Sequence, residues 1–318
     1  MLVVNGSNLT QIAFNIKYSN QFNNGASSLT FEYPISKASL FPNGSVVTFQ
    51  YSGVNVFYGF LFTSSANAKT VKCTAYDQLR YLKSSAFLLR PIETLDAFCN
   101  RVFGTVGDRI RVGQIDPTVV QLKKRLFDNQ TFLDMLYTSI SESLYLNGYY
   151  YALRDEFGAV TLRDVYDLRL PLVLGDGSLA TDFNYAKSID QDTANCVKVA
   201  RDNEAAGVRD TYVVQDSSNI AKWGKLMLYK TVSGEANDAQ MLQLANSILA
   251  VKNRETETLN IECIGDLRVR AGCGVKVVLS QVGVDLWALV TSATHSFSGA
   301  SHTMKIELQY GRWQSWTS

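Results

Sequence analysis

The sequence predicts a mainly β protein with an α+β insertion, in which two similar β-barrel domains flank a mixed α/β domain. Three observations carry this reading. One stretch occurs twice: Gly44 to Phe57 (GSVVTFQYSGVNVF) is matched by Gly274 to Trp287 (GVKVVLSQVGVDLW), each with a second glycine nine residues after the first. Both copies alternate apolar and polar residues between glycine turns, the period of a half-buried antiparallel strand. Between the copies the texture changes to helical spacing. The expected boundaries are 1–88 for the first β domain, 89–175 for the insertion and 176–318 for the second β domain, with a helix at about 237–252.

The repeat extends past its hairpin. Thr63-Ser64-Ser65-Ala66 and Thr291-Ser292-Ala293 lead to closing strands at Thr70–Ala75 and Thr303–Leu308. Val47 and Phe49 are aligned with Val277 and Leu279 as inward positions. Gly53 and Gly283 stand where a hairpin turn needs positive φ. A repeat this far apart suggests two similar domains, not a solenoid with its period of about 20–50 residues.

The first domain reads as short alternating runs: Ala13–Tyr18, Leu29–Tyr33, Val46–Tyr51, Val56–Phe62 and Val71–Ala75. Turn-forming clusters at Asn23-Asn-Gly25, Pro42-Asn-Gly44 and Ser64–Ala68 separate them, the pattern of a barrel or sandwich. At Thr74-Ala-Tyr-Asp-Gln-Leu-Arg-Tyr-Leu82 the period changes. Leu79 and Leu82 begin a helical turn that Asp77 is placed to cap. Tyr76, Asp77 and Tyr81 therefore read as a strand-to-helix corner.

In the insertion, Thr94 precedes a helix with Leu95, Phe98 and Val102 on one face. Thr131 and Asp134 form a capping pattern for a longer helix carrying Leu133, Leu136, Ile140 and Leu144, which Gly148 stops. Strands follow at Tyr149–Leu153 and Ala159–Leu162. The basic run Lys123-Lys-Arg125 reads as a solvated face. In the last domain Asn195–Ala200 and Thr211–Val214 are strands. The 237–252 helix has a wide apolar face built on Met241, Leu244, Ile248 and Val251, beside Leu242, Ala245 and Leu249, which suggests packing across a barrel or against another chain. Strands at Leu259–Cys263, Val275–Leu279, Leu286–Val290 and Met304–Leu308 finish it.

Composition sets bounds. The chain has 318 residues, 46% hydrophobic and 19% charged, enough for about two or three globular domains. With 30 Lys plus Arg against 29 Asp plus Glu, nothing marks a specific nucleic-acid binder. Five scattered cysteines without CxxC spacing indicate buried thiols, not a disulfide frame or zinc site. The first residues lack a signal-peptide pattern. No apolar run approaches the ~18 residues of a membrane span.

No catalytic, cofactor-binding or metal-binding residues are assigned. His295 and His302 are the only histidines, seven residues apart, in or beside an expected hairpin loop. No GxSxG elbow accompanies them. Gly175-Asp-Gly177-Ser-Leu-Ala180 fits GxGxxG/A formally, but no long amphipathic helix follows, so a tight β-turn is expected. Tyr145, Tyr149, Tyr150 and Tyr151 are assigned to strand and core packing in preference to sugar stacking.

Several motifs in order give the chain a family resemblance: Gly59 within Phe57–Phe60, the Thr74–Leu82 corner with Tyr76, Asp77, Leu79, Tyr81 and Leu82, Gly148–Tyr151 with Gly158, Ser188–Val199, Ile220–Gly224 with Trp223 and Gly224, and His302–Leu308. Together they resemble the baseplate hub proteins of tailed phages and phage-tail-like contractile particles, of the XkdQ/YqbQ type. Asn195-Cys-Val departs from the Asn-Arg-Val expected at that strand start. The resemblance implies a homotrimeric, non-enzymatic hub in the virion tail or baseplate, made in the cytoplasm of the host bacterium. It implies a pseudo-sixfold ring joining a sixfold tail tube, or tube-initiator protein, to a threefold spike or tail tip, beside other baseplate proteins. A tail-tip cell-wall hydrolase or peptidase, and a carbohydrate-binding module using the tyrosine cluster, are the alternatives.

Overall fold

The computed structural model describes residues 1–175, 180–190, 192–203, 207–232, 234 and 236–310. The first stretch holds β1 (Leu2–Val4), β2 (Ser7–Asn8), β3 (Phe14–Gln21), β4 (Ser28–Pro34), β5 (Val46–Tyr51), β6 (Val54–Ala66) and β7 (Thr70–Tyr76). A 3-10 turn at Gln78–Lys83 leads to β8 (Ser85–Arg90), β9 (Glu93–Thr94), α1 (Leu95–Val106), β10 (Val112–Ile115), β11 (Gln121–Leu122), β12 (Arg125–Thr131), α2 (Phe132–Asn147), β13 (Tyr151–Asp155) and β14 (Val160–Asp164). Then come β15 (Arg169–Gly175), β16 (Ala180–Ser188), β17 (Cys196–Asn203), β18 (Val208–Gln215), α3 (Ser217–Trp223), β19 (Met227–Val232) and α4 (Asp238–Lys252). The last strands are β20 (Thr256–Ile264), β21 (Gly274–Leu279), β22 (Val284–Ser298) and β23 (Ser301–Gln309).

One strand order recurs. β3-β4-β7-β6-β5 in the first part and β16-β20-β23-β22-β21 in the last are each antiparallel at every step. Each has one long strand that changes partner at a register shift, between Leu61 and Thr63 in β6 and between Val290 and Ser292 in β22. The inward residues correspond through that shift. Leu29, Phe31, Val71, Cys73, Ala75 and Leu61 are matched by Leu259, Ile261, Met304, Ile306, Leu308 and Val290, all buried. Fully burying an aliphatic or aromatic side chain of this size stabilises by about 1.5–3 kcal/mol, so both parts rest on the same set of positions.

The pairing moves the sequence alignment of the repeat. Counting back from the register shift, Val47 corresponds to Val275 and Phe49 to Val277, not to Val277 and Leu279. Tyr51 and Val54 flank a tight turn at Ser52 and Gly53, both at positive φ, whereas Leu279 and Val284 flank the longer turn 280–283, which Gly283 ends at φ 67°. A slip of two residues keeps every side chain on its face, so alternation alone does not detect it.

The two parts share one sheet. β22 pairs with β3, giving a 13-stranded sheet that ends in β16 on one side and β1 and β2 on the other, with β21 and β15 branching from β22. Among the described residues the pairings form an open path, and no closed barrel is present. β15, from the segment before 175, pairs parallel with β21.

The middle part has its own core, where α1 and α2 bury Phe98, Val102, Leu133, Leu136 and Ile140 with Phe127, Leu153 and Leu162. Thr131 accepts a bond from the Asp134 N–H at 3.1 Å, and Gly148 ends α2 in the left-handed region. Thr94 stands at the N-cap of α1 without a side-chain cap bond. A further small core forms where α4 lays Met241, Ala245 and Ile248 on Val197 and Val199 of the sheet β18-β17-β19, while Leu242 stays exposed. The stretch from Ile220 divides into the end of α3, a turn and β19.

Gly59 tests the packing of the first part. A Cβ there would lie 2.2 Å from the Tyr76 carbonyl oxygen and 2.6 Å from the Phe57 ring. Gly59→Ala is expected to lower stability by about 1–3 kcal/mol, read as a lower denaturant midpoint at unchanged slope.

Candidate functional site

The turn after β3 is where the three parts meet. Asn23, at φ 45°, donates from its amide to the Tyr151 carbonyl at 2.8 Å and accepts from the Leu153 N–H at 3.0 Å. The Gly25 N–H donates to the Tyr137 hydroxyl at 2.9 Å. Two residues further on, the Ser27 N–H donates to Asp77 at 2.9 Å, and the other oxygen of that carboxyl accepts from the Leu79 N–H at 3.0 Å. Asp77 thus caps the 3-10 turn, as its sequence position predicts, and also fixes a neighbouring strand.

The next residue extends the network. Gln78 donates to the Asp155 carboxyl at 2.7 Å and accepts from the Arg111 N–H at 2.6 Å. Asp155 also accepts from the Gly158 N–H at 2.6 Å, and its carbonyl accepts from Arg270, in the loop before β21, at 2.5 Å. Buried polar groups need such partners. Burial pushes both carboxyls up, Asp77 to about 7, with the Asp155 charge adding to the effect on Asp77. Beside the network is a cavity of about 280 Å³ lined by Tyr18, Asn55, Arg154, Glu156, Arg270 and His295. Arg154 chelates Glu156 there, at 2.9 and 2.5 Å.

The two histidines stand on the paired strands of one hairpin, His295 on β22 and His302 on β23, beside the turn that joins them. His295 Nδ1 is 2.9 Å from His302 Nε2, and its Nε2 is 2.9 Å from the Val269 carbonyl. That carbonyl only accepts, so Nε2 carries the proton and Nδ1 accepts from His302. Burial, and then His302, hold His295 down to about 4. Both its nitrogens are hydrogen-bonded within the fold, one to a backbone carbonyl and one to the second histidine. Among the described residues no group of three or more His, Cys, Asp or Glu is placed to hold a metal.

The corner residues are packing residues. Leu79 and Leu82 enter the middle core, and Tyr81 lies 5.4 Å from Phe60 and 5.6 Å from Phe62. Tyr76 ends β7 against Phe62 at 5.6 Å. Trp223 ends α3, and the Gly224 carbonyl accepts from the buried Asn195 amide at 2.7 Å, while Asn195 accepts from the Leu226 N–H at 2.8 Å. His302 stacks on Phe297 at 4.5 Å. The tyrosine cluster is divided among cores: Tyr151 in the middle core, Tyr150 edge-on to Phe22, Tyr145 beside α4, with Tyr149 exposed. The Asn195 tie and the Asp155–Arg270 contact have no local sequence signal, since their partners are 29 and 115 residues away. Residues 176–179 of the glycine-rich turn lie outside the described residues.

Residues 16–309 match the protein family described as YQBQ-like. The chain belongs to that family. A YQBQ-like relative, "Phage-like element PBSX protein XkdQ" of Bacillus subtilis (strain 168), is 29% identical over 268 residues, covering 83% of this chain and 81% of the relative. Two solved structures share the YQBQ-like fold. A tail protein from Neisseria meningitidis MC58 aligns with a TM-score of 0.72 at 15% identity, covering 97% of this chain and 95% of that one. The 43 kDa tail protein of prophage MuSo2 from Shewanella oneidensis aligns with a TM-score of 0.71 at 14% identity, covering 96% of both chains. No helix among the described residues is long and apolar enough to cross a membrane.

The junction predicts opposed pH effects. Asp77, raised in the fold, holds a proton between about 4 and 7 that the unfolded chain has lost, so its contribution to stability falls as pH rises through that window. His295, lowered to about 4, stays neutral where the unfolded chain is protonated, so its contribution rises with pH between about 4 and 6.5. Asp77→Asn should therefore make stability fall more steeply on acidification, and His295→Gln less steeply. Denaturant titrations at a series of pH values measure both slopes.

Proposed function

We propose that this chain is a structural hub of a phage tail or phage-tail-like baseplate, acting as a homotrimer without an active site. The observation that carries the reading is the recurrence of one strand order, with its register shift and inward residues, in β3–β7 and β16–β23. A heterologous contact closes into a ring only when its rotation divides the circle. A subunit with two near-equivalent sheet units lets three copies offer six similar contact surfaces. Such a ring matches a sixfold tail tube, or its initiator protein, on one side and a threefold spike or tail tip on the other, within the virion tail.

In this reading residues 1–88 and 176–318 supply the two barrel-like units, and 89–175 form an insertion beside the ring. Asp77, Tyr76, Leu79, Tyr81, Leu82, Trp223, Gly224 and His302 are structural residues that set the corners between parts. The carbohydrate-module reading loses support because Tyr150 and Tyr151 are packed into cores. The cell-wall hydrolase reading loses support from the engaged nitrogens of His295.

Light scattering is expected to give three times the chain mass for the purified chain, or three copies of the chain per complex when it is held by its tail partners, and a negative-stain view along the axis a ring of six lobes. A zymogram on bacterial cell walls is expected to show no clearing. A monomer in both settings, or clearing abolished by His295→Gln, would sink the proposal.

A further inference from the structure

One strand pairing joins the two recurring units inside the chain, and the repeat specifies where its counterpart belongs. In the joining pair, Ser292–Phe297 of β22 run antiparallel to Ile16–Gln21 of β3, with His295 opposite Tyr18 and Thr294 opposite Ser19. The Ser19 and Thr294 hydroxyls are 3.1 Å apart. This part of β22 lies just past the register shift and has β23 on its other edge.

The equivalent segments follow from register. Thr63 follows the shift in β6 as Ser292 does in β22, so Thr63–Ala66 take the places of Ser292–His295. Tyr18 lies opposite Leu29, and Tyr185 lies opposite Leu259, the matching buried leucine. Tyr185–Ser188 of β16 therefore take the places of Tyr18–Gln21. Among the described residues, Thr63–Ala66 pair only with β7 and β16 pairs only with β20. Thr63, Ser65 and Ala66 are exposed, as are Asn184, Ala186, Lys187 and Ser188. Six strands separate β16 from β6 along the sheet path, so the two free edges are held apart within one chain. An unpaired edge presents backbone donors and acceptors ready for another strand, and the Thr-Ser-Ser-Ala run carries no bulky side chain to obstruct one.

We infer that the free edge of β6 in one copy pairs antiparallel with the free edge of β16 in the next. Ser65 then faces Ala186 of the next copy, as Thr294 faces Ser19 within the chain, and Ala66 faces Tyr185. The inference rests on the trimeric reading and adds the surface that makes the trimer. The contact between chains repeats the contact within the chain, so six similar pairings close the ring of three.

The test is a disulfide across the inferred pair in the full chain. Facing residues of antiparallel strands have Cα atoms about 4.5–5.5 Å apart, within the reach of a disulfide, and the five native cysteines are buried. After mild oxidation, Ser65→Cys/Ala186→Cys is expected to give covalent dimer and trimer on a non-reducing gel and nothing larger. Either single variant, and the shifted pair Ser65→Cys/Ser188→Cys, whose diagonal spacing of about 7–8 Å exceeds that reach, should stay at the monomer position. Light scattering is run on the same samples. A trimer in which the facing pair cross-links no better than the shifted pair overturns the strand pairing and leaves the trimeric reading standing. A chain that is monomeric and uncross-linked, alone and with its tail partners, overturns both.

Discussion

The pairing of β22 with β3 is the contact on which the rest of the architecture depends. It satisfies the outer edge of β3 and the far half of β22 together, and it turns two similar units into one sheet. Without it each unit would expose a long strand edge with its backbone groups unpaired. With it, the outer edge of β6 past its register shift and the outer edge of β16 stay unpaired among the described residues, and they are equivalent to the two that are joined.

The polar network of Asp77, Gln78 and Asp155 sets how the middle part sits on that sheet. Its hydrogen bonds reach Ser27 in the first part, Arg111 and Gly158 in the middle and Arg270 in the last. Burying two carboxyls near one another is costly, and both are pushed toward their neutral forms. Breaking one bond leaves its buried partner unsatisfied, so the network favours one arrangement of the parts over slipped ones. Asn23 adds a second fastening a few residues away, with its amide bonded on both sides to β13. The YQBQ-like chain therefore meets at a polar seam, with three large apolar cores around it.

Local chemistry made much of this legible. Asp77, Thr131 and Gly148 act at helix and turn ends as their positions foretell, because capping is decided within three or four residues. The faces of α1 and α2, and the positive φ of Gly53 and Gly283, follow from the same short-range rules. The repeat itself was readable as a pattern, but its register was not. A two-residue slip preserves the alternation, and only the bridge partners of Val47 and Val275 reveal it.

What the sequence determined by itself was the kind of most of the longer elements and the presence of a repeated strand pattern, since period and turn chemistry are local properties. Tertiary structure alone decided that those sheets join through β22 and β3, that His295 is bonded at both nitrogens, and that Asp77 and Asp155 share one buried seam. Each of these brings together groups far apart in the chain, and nothing in either partner's neighbourhood encodes the other. Their pairing is fixed by which edges and which buried polar atoms remain unsatisfied once the local elements have formed.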